Sequence, residues 1–254
     1  MLLVTDIGNT HTVFGLMREG RVLKHWRITS SLARTEDEIG VLLRIYCQQS
    51  GFDFKDISGV CISSVVPDLT ASHVRMTEKY LNSKPLVIHA GLELGMRVLY
   101  KDPGTVGADR LCNAVAGVKK YGAPLIVLDF GTATTFDCVN KEGDYLGGVI
   151  APGIETSIRA LHHKAAKLPQ VELSIPRHPV GQTTTESIQV GIIRGAIHMV
   201  NGLVADISRE LGAETQVIAT GGLAPVLARE TEVIAHVEPF LSLEGMEMIY
   251  AMNR

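Results

Sequence analysis

Two short segments place an aspartate, a glycine and small hydroxyl residues directly after an apolar run. The first reads DIGNT at residues 6–10, and the second reads DFGTATT at residues 129–135. The glycine lets the backbone turn sharply and leaves amide groups uncovered, which suits phosphate oxygens. The aspartate would repel a phosphate but can hold a divalent cation that binds one, through water in the case of magnesium. Taken alone, each segment is more typical of an ordinary hairpin turn.

The two segments belong to a longer internal repeat. Residues 2–23 align with residues 125–146 at a constant offset of 123 positions without a gap, so that Asp6 falls on Asp129 and Thr12 on Thr135. Each copy predicts a strand, a tight polar turn, a second strand and a hairpin turn. Two such copies half a chain apart predict two similar domains, each presenting an acid-bearing turn to a shared cleft.

A third candidate for chemistry lies between the copies, where Asp109 and Arg110 follow small residues at the start of a helix. Asp109 could accept a proton from a substrate hydroxyl. Arg110 could stabilise charge on a migrating phosphoryl group or on a substrate carboxylate. An isolated pair of this kind is more often a helix-initiating acid beside a solvated or salt-bridging arginine, so both interpretations stay open here.

The elements around these residues predict an α/β protein, because apolar strands alternate with helical patterns. Strands are predicted at residues 2–8, 11–17, 21–28, 58–65, 86–89, 125–130, 133–139, 144–150 and 216–222. Helices are predicted at residues 35–49, 67–81, 107–122, 154–165, 186–211 and 243–251. Thr35 and Glu38 form a sequence pattern typical of a capping box at the first of these helices.

Composition excludes several classes of function. The chain has 254 residues, 46% of them apolar and 20% charged, which is ample for two packed domains. A net charge of −3 gives no case for nucleic-acid binding. We expect no signal peptide, and no apolar run long enough to cross a membrane. Four widely spaced cysteines indicate reduced, buried thiols in a cytoplasmic protein.

Taken together, the motifs resemble two nested protein families. The two phosphate-type turns with Thr220-Gly221-Gly222 after a strand are similar to the superfamily of sugar kinases, acetate kinase, actin and the heat-shock chaperones. Within it, the chain resembles the type III pantothenate kinases over almost its whole length. That resemblance rests on DIGNT, Tyr100 with GADR at 107–110, DFGTATT, GGVIAPG at 147–153, and the spaced residues Thr184, Ser187, Gln189 and Gly191.

The resemblance implies an α/β fold of two duplicated ribonuclease-H-like domains, with mixed sheets around an interdomain ATP cleft. The domains are expected at residues 1–117 and 118–254. It also implies an ATP-dependent phosphotransferase that converts pantothenate to 4'-phosphopantothenate, the first step of coenzyme A biosynthesis. The family's properties imply Mg²⁺ with ATP, a monovalent cation (K⁺ or NH₄⁺), a homodimer and a cytoplasmic location, with no nucleic acid or membrane as partner.

The same resemblance implies roles for individual residues. ATP would be bound by Asp6, Ile7, Gly8, Asn9, Thr10, His11, Thr12, Val13 and Thr132. Pantothenate would be bound by Tyr100, Gly107, Ala108, Asp109, Arg110 and Thr184. Asp109 would be the proton acceptor, and Thr184 would reach pantothenate from across the dimer interface. Asp6 would lie near magnesium, and Asp129 would ligate the monovalent cation.

Three alternatives remain at this point. A kinase of the same superfamily could act on another small hydroxyl substrate, although GADR argues against it. A nucleotide-binding transcriptional accessory protein could share the fold, but it would tolerate loss of Asp109 or Arg110, and both are present. An actin-like polymer is disfavoured because the chain is short.

Overall fold

The computed structural model describes residues 1–212 and 214–254. The strands are β1 (Leu2–Ile7), β2 (His11–Arg18), β3 (Arg21–Thr29), β4 (Gly59–Ser64), β5 (Leu86–Val87), β6 (Leu125–Phe130), β7 (Ala133–Val139), β8 (Tyr145–Pro152), β9 (Gln216–Thr220) and β10 (His236–Val237). The helices are α1 (Glu36–Gln49), α2 (Pro67–Leu81), α3 (Ala108–Tyr121), α4 (Ile154–Lys164), α5 (Thr184–Gln189), α6 (Gly195–Leu211), α7 (Ala224–Leu227) and α8 (Leu241–Met252).

The chain divides into two compact units. The first comprises Met1–Lys120 together with Phe240–Arg254, and the second comprises Tyr121–Pro239. The domains were expected at residues 1–117 and 118–254, and the two units divide the chain at residues 120 and 121. The last fifteen residues differ from expectation, because residues 240–254 belong to the first unit rather than the second.

Each unit contains one five-stranded mixed sheet of the same topology. The order is β3-β2-β1-β4-β5 in the first unit and β8-β7-β6-β9-β10 in the second. In both, two antiparallel pairings are followed by two parallel ones. The predicted α/β class with two duplicated, mixed-sheet domains is confirmed, although β10 and α7 were not predicted.

Alternation along β1 explains why the first sheet is covered on both faces. Leu3 and Ile7 point into a core with α1 and α2, whereas Leu2 and Val4 point into a second core with α3 and α8. Gly245 lets α8 approach α3, because a Cβ atom at this position would collide with the Cys112 carbonyl group. The C-terminal helix therefore completes the first unit by covering the second face of its sheet.

The core of the second unit forms between its sheet and the long helical segment at residues 184–211. Predicted as one helix from residue 186, this segment consists of α5, a π-helical stretch (Val190–Arg194) and α6. Contrary to expectation, this segment is long and apolar enough to cross a membrane, judged by length and composition alone. An 18-residue window within it has a mean hydropathy of 1.3. Ile188, Ile193 and Val200 are buried in the core of this unit. We therefore interpret the segment as a core helix.

Two helix starts follow directly from the sequence. The Thr35 side chain accepts a hydrogen bond from the Glu38 amide, and the Glu38 carboxylate accepts one from the Thr35 amide at 2.8 Å, so the predicted capping box is confirmed. Pro67 occupies the first turn of α2, where its missing N–H costs no helical hydrogen bond.

A buried histidine in α2 should make the stability of the protein pH-dependent. His73 is 2% exposed and its Nδ1 donates to the Leu69 carbonyl oxygen at 2.8 Å, which leaves Nε2 as the acceptor nitrogen of a neutral ring. Within the described part of the chain, Nε2 has no hydrogen-bond partner. Burial lowers the pKa of His73, since protonation would place an uncompensated charge in the core.

We expect the free energy of unfolding to fall as pH decreases below about 6.5, because the unfolded chain then binds a proton that folded His73 resists. One such group can contribute at most about 1.4 kcal/mol per pH unit. The free energy of unfolding, measured with urea, should decrease less from pH 7 to pH 5 in His73→Leu than in the unmodified protein. His178→Leu, at an exposed position, is the control. If the free energy of unfolding of His73→Leu depends on pH as that of the unmodified protein does, His73 is not the cause of the pH dependence.

Candidate active site

The two Asp-x-Gly turns occupy equivalent places in the two sheets. Asp6 lies near the carboxyl end of β1 and Asp129 near that of β6, and each strand has a parallel neighbour on one side. Each turn is closed by its glycine: the Gly8 amide donates to the His11 carbonyl oxygen and the Gly131 amide to the Ala133 carbonyl oxygen, both at 3.0 Å. Both turns thus lie at the strand ends where α/β proteins place ligand sites.

The second turn is one residue shorter than the first. Ile7 pairs with Thr12 across the first turn, whereas Phe130 pairs with Thr134 across the second. Thr12 is therefore structurally equivalent to Thr134, not to Thr135 as the ungapped sequence alignment suggested. The hairpin between the second and third strands is one residue longer in the second copy, where the Asn140 amide donates to the Asp144 carbonyl oxygen. This extra residue restores the offset of 123. The constant offset thus hides one deletion and one compensating insertion.

The predicted ATP-binding segment contains both buried and exposed side chains. Ile7 and Thr12 are buried, whereas Asn9 and His11 are exposed. Ser30, which sequence reasoning missed, fixes the turn: its hydroxyl donates to the Gly8 carbonyl oxygen at 2.6 Å and lies 3.0 Å from the Thr12 hydroxyl. Its amide donates to the Thr10 carbonyl oxygen at 2.9 Å.

Two hydroxyl groups contact the Asp6 carboxylate. Its Oδ1 accepts a hydrogen bond from the Ser63 hydroxyl at 3.0 Å, and its Oδ2 accepts a longer one from the Ser242 hydroxyl at 3.4 Å. Ser63 comes from the neighbouring strand β4 and Ser242 from α8. The sequence alone signals neither contact, because both partners are distant along the chain.

Asp109 lies in the first turn of α3. Its Oδ1 accepts a hydrogen bond from the Arg110 amide at 2.8 Å. A Cβ atom on Gly107 would lie 2.5 Å from that oxygen, so any other residue here would require the carboxylate to move. Burial raises the pKa of Asp109, while the Arg110 amide and guanidinium act in the opposite direction. A carboxylate with a raised pKa is a better proton acceptor.

Asp6 and Asp109 belong to elements on the same side of the first sheet. Asp6 lies on the same face of β1 as Leu2 and Val4, which pack in the core with α3 and α8, and Asp109 is in the first turn of α3. Burial and the nearby Cys61, Asp6 and Asp109 raise the pKa of the fully buried Cys112 thiol. Arg110 is 9% exposed, so it does not match the open alternative of a solvated arginine. Tyr100 lies at a 38% exposed position in the segment before α3.

In the second unit, two glycines shape the surroundings of Asp129 and Thr132. Gly221 approaches so closely that a Cβ atom would lie 2.5 Å from Asp129 Oδ1 and 2.6 Å from the Phe130 carbonyl oxygen. The Thr132 carbonyl oxygen accepts hydrogen bonds from the Gly153 amide at 3.1 Å and from the Thr156 hydroxyl at 2.7 Å. Thr156 is a further residue that sequence reasoning missed. Thr184 is the exposed first residue of α5.

The chemistry of both sites suits hard cations. Among the described residues there is no cluster of three or more histidine, cysteine, aspartate or glutamate side chains that could hold a metal ion. Asp6 is accompanied by hydroxyl groups, and Asp129 lies beside the Phe130 carbonyl oxygen. Oxygen donors of this kind fit magnesium, particularly with its own water ligands, and alkali-type cations.

Comparison with known proteins decides the family. The model of the type III pantothenate kinase family matches residues 2–206. A type III pantothenate kinase from Bacillus cytotoxicus is 46% identical over 253 residues, covering 100% of this chain and 97% of the relative. The chain belongs to the type III pantothenate kinase family. The resemblance read from the motifs is confirmed.

Solved structures add support for the fold alone. A conserved protein from Campylobacter jejuni, provisionally assigned to the Baf family of transcriptional activators, matches with a TM-score of 0.61 and 18% identity, covering 99% of this chain and 98% of that one. The activator of the 2-hydroxyisocaproyl-CoA dehydratase from Clostridium difficile, with bound ADPNP, matches with a TM-score of 0.52 and 14% identity, covering 99% of this chain and 94% of that one. At these identities neither likeness supports the regulatory alternative for this pantothenate kinase family member.

Proposed function

We propose that the protein transfers the γ-phosphoryl group of ATP to the primary hydroxyl of pantothenate, giving 4'-phosphopantothenate in the first step of coenzyme A biosynthesis. The observation that carries this proposal is the 46% identity to a type III pantothenate kinase over the full length of the chain. The position of Asp109 in the first turn of α3, the helix that covers the Asp6 face of the first sheet, supports it chemically.

The first turn would bind the phosphates of ATP. The backbone of this turn and the exposed Asn9 and His11 side chains are suited to phosphate oxygens, and Thr132 would contribute from the second turn. Ile7 and Thr12 would contribute through their backbones, and Val13 would flank the site. Asp6 would hold magnesium through water. When bound, magnesium neutralises charge on the β- and γ-phosphates.

Asp109 would act as the general base. As its carboxylate takes the hydroxyl proton of pantothenate, the hydroxyl oxygen bonds to the γ-phosphorus, the bond to the bridging oxygen breaks and ADP leaves. Arg110 would balance the charge of the substrate carboxylate or of the moving phosphoryl group. Tyr100, Gly107 and Ala108 would line the pantothenate pocket.

We further propose that the active form is a homodimer in which Thr184 of one subunit contacts pantothenate bound by the other. Thr184 is exposed at the start of α5, as such a role requires. Asp129, with the Phe130 carbonyl group beside it, would ligate K⁺ or NH₄⁺. We also propose a cytoplasmic location, which the four buried free thiols support, and neither nucleic acid nor membrane as a partner.

The test is ADP release with ATP and Mg²⁺, measured with and without pantothenate in potassium, ammonium and sodium salts. We expect turnover that depends on pantothenate and is higher with K⁺ or NH₄⁺ than with Na⁺. Formation of phosphopantothenate in equal amount to ADP, followed by ³¹P NMR, separates transfer from ATP hydrolysis. Absence of pantothenate-dependent turnover in all three salts would contradict the proposal.

A further inference from the structure

We infer that Ser63 is a positioning residue for the phosphoryl-transfer site: its hydroxyl fixes the Asp6 carboxylate in the orientation that binds magnesium-ATP. This inference rests on the proposed function, in which Asp6 lies on the magnesium side of the nucleotide. It concerns a residue of β4 that lies outside the motifs from which the family was recognised.

Sheet register places Ser63 beside Asp6. The two residues are direct partners in the parallel pairing of β1 with β4, so their side chains leave the sheet on the same face. The Ser63 hydroxyl is 3.0 Å from Asp6 Oδ1. Since an ionised carboxylate only accepts hydrogen bonds, the serine hydroxyl must be the donor.

The donor is itself buried. Ser63 is 0% exposed, and its one hydroxyl hydrogen is directed to Asp6. Burial keeps bulk water from competing for this hydrogen bond, which strengthens the bond and favours a single orientation of the serine side chain.

The other carboxylate oxygen of Asp6 accepts a weaker hydrogen bond. The Ser242 hydroxyl of α8 lies 3.4 Å from Asp6 Oδ2, at the long end of hydrogen-bond distances. Asp6 is therefore contacted on both oxygens, with the shorter contact from Ser63. Outer groups of this kind orient the ligands of metal sites, and their removal typically costs roughly 10- to 100-fold in metal affinity or activity.

The experiment measures ADP binding to the pantothenate-free protein by calorimetry, once with excess Mg²⁺ and once with EDTA. Ser63→Ala should weaken ADP binding about tenfold in Mg²⁺ and leave binding in EDTA unchanged. Ser63→Cys retains a weak donor of similar size and should lie between Ser63→Ala and the unmodified protein. Ser242→Ala should have a smaller effect than Ser63→Ala.

Ser64→Ala is the matched control, because the Ser64 hydroxyl contacts Val66 and Thr70 rather than Asp6. If Ser63→Ala binds ADP in Mg²⁺ as tightly as Ser64→Ala does, the inference is wrong. If Ser63→Ala does not fold, the inference is overturned when Ser63→Cys binds ADP in Mg²⁺ as tightly as the unmodified protein does. Asp6→Asn distinguishes the proposed magnesium role of Asp6 from the positioning role of Ser63. Loss of magnesium-dependent binding in Asp6→Asn but not in Ser63→Ala refutes the positioning role alone, whereas retention in Asp6→Asn refutes the proposed role of Asp6.

Discussion

Replacing Asp109 with Asn should reduce pantothenate-dependent turnover by about 10²- to 10⁴-fold, the range typical for loss of a general base. The amide side chain of this variant would keep the shape of the carboxylate and could still hydrogen-bond the substrate hydroxyl, but it could not take the proton. We therefore expect the loss in kcat, with ADP binding nearly unchanged. The measurement is steady-state ADP release at saturating ATP and pantothenate.

Asp102→Asn is the matched control for Asp109→Asn, because Asp102 is an exposed acid in the same segment ahead of α3. It should keep near-normal turnover. Since burial raises the pKa of Asp109, kcat/KM of the unmodified enzyme should fall on acidification at a pH above the ordinary aspartate pKa of about 3.9. The activity is lost as pH decreases because the protonated carboxyl cannot accept the substrate proton. Near-normal turnover in a folded Asp109→Asn would refute the role of Asp109.

Local sequence patterns were sufficient to predict much of the fold. A continuously apolar strand followed by Asp-x-Gly occurs twice, and a strand buried on both faces must lie inside a layered α/β sheet. Thr35 and Glu38 marked a helix start because the capping box involves only residues of one turn. Such features depend on neighbours within a few positions, which a sequence displays directly.

Features that depend on distant partners were not predictable. Ser63 contacts Asp6 over a separation of 57 residues, and Ser242 does so over 236. The placement of α8 on the first sheet has the same cause, since its apolar residues would suit the core of either unit. The shorter second turn escaped detection because a longer hairpin restores the sequence offset, and only strand register separates the two changes.

Replacing Gly221 with Ala should have a large effect near the second turn, because it combines an unfavourable backbone angle with a steric collision. The Gly221 φ angle of +92° is unfavourable for a residue with a Cβ atom. That atom would also lie 2.6 Å from the Phe130 carbonyl oxygen, a backbone group that cannot rotate away. Backbone strain of about 1–3 kcal/mol and overpacking of a similar size should both lower the stability of the protein.

The same substitution should impair the site at Asp129. The new methyl group would lie 2.5 Å from Asp129 Oδ1, so the carboxylate must move from its place beside the Phe130 carbonyl group. If Asp129 ligates K⁺ or NH₄⁺ as proposed, activation by these cations should decrease by about tenfold or more, in line with the loss of an orienting contact at a metal site. The measurements are urea unfolding and turnover as a function of K⁺ concentration.

The adjacent Gly222 provides a control that differs by one position. A Cβ atom there meets nothing within 4 Å, and the residue is exposed. Gly222→Ala should therefore change the free energy of unfolding by less than about 0.5 kcal/mol and leave the K⁺ dependence unaltered. Equal behaviour of the two alanine variants would mean that close packing of Gly221 against Asp129 and Phe130 matters neither for folding nor for cation activation. A loss of stability in Gly221→Ala without a change in K⁺ dependence would keep the packing argument and refute the cation role of Asp129.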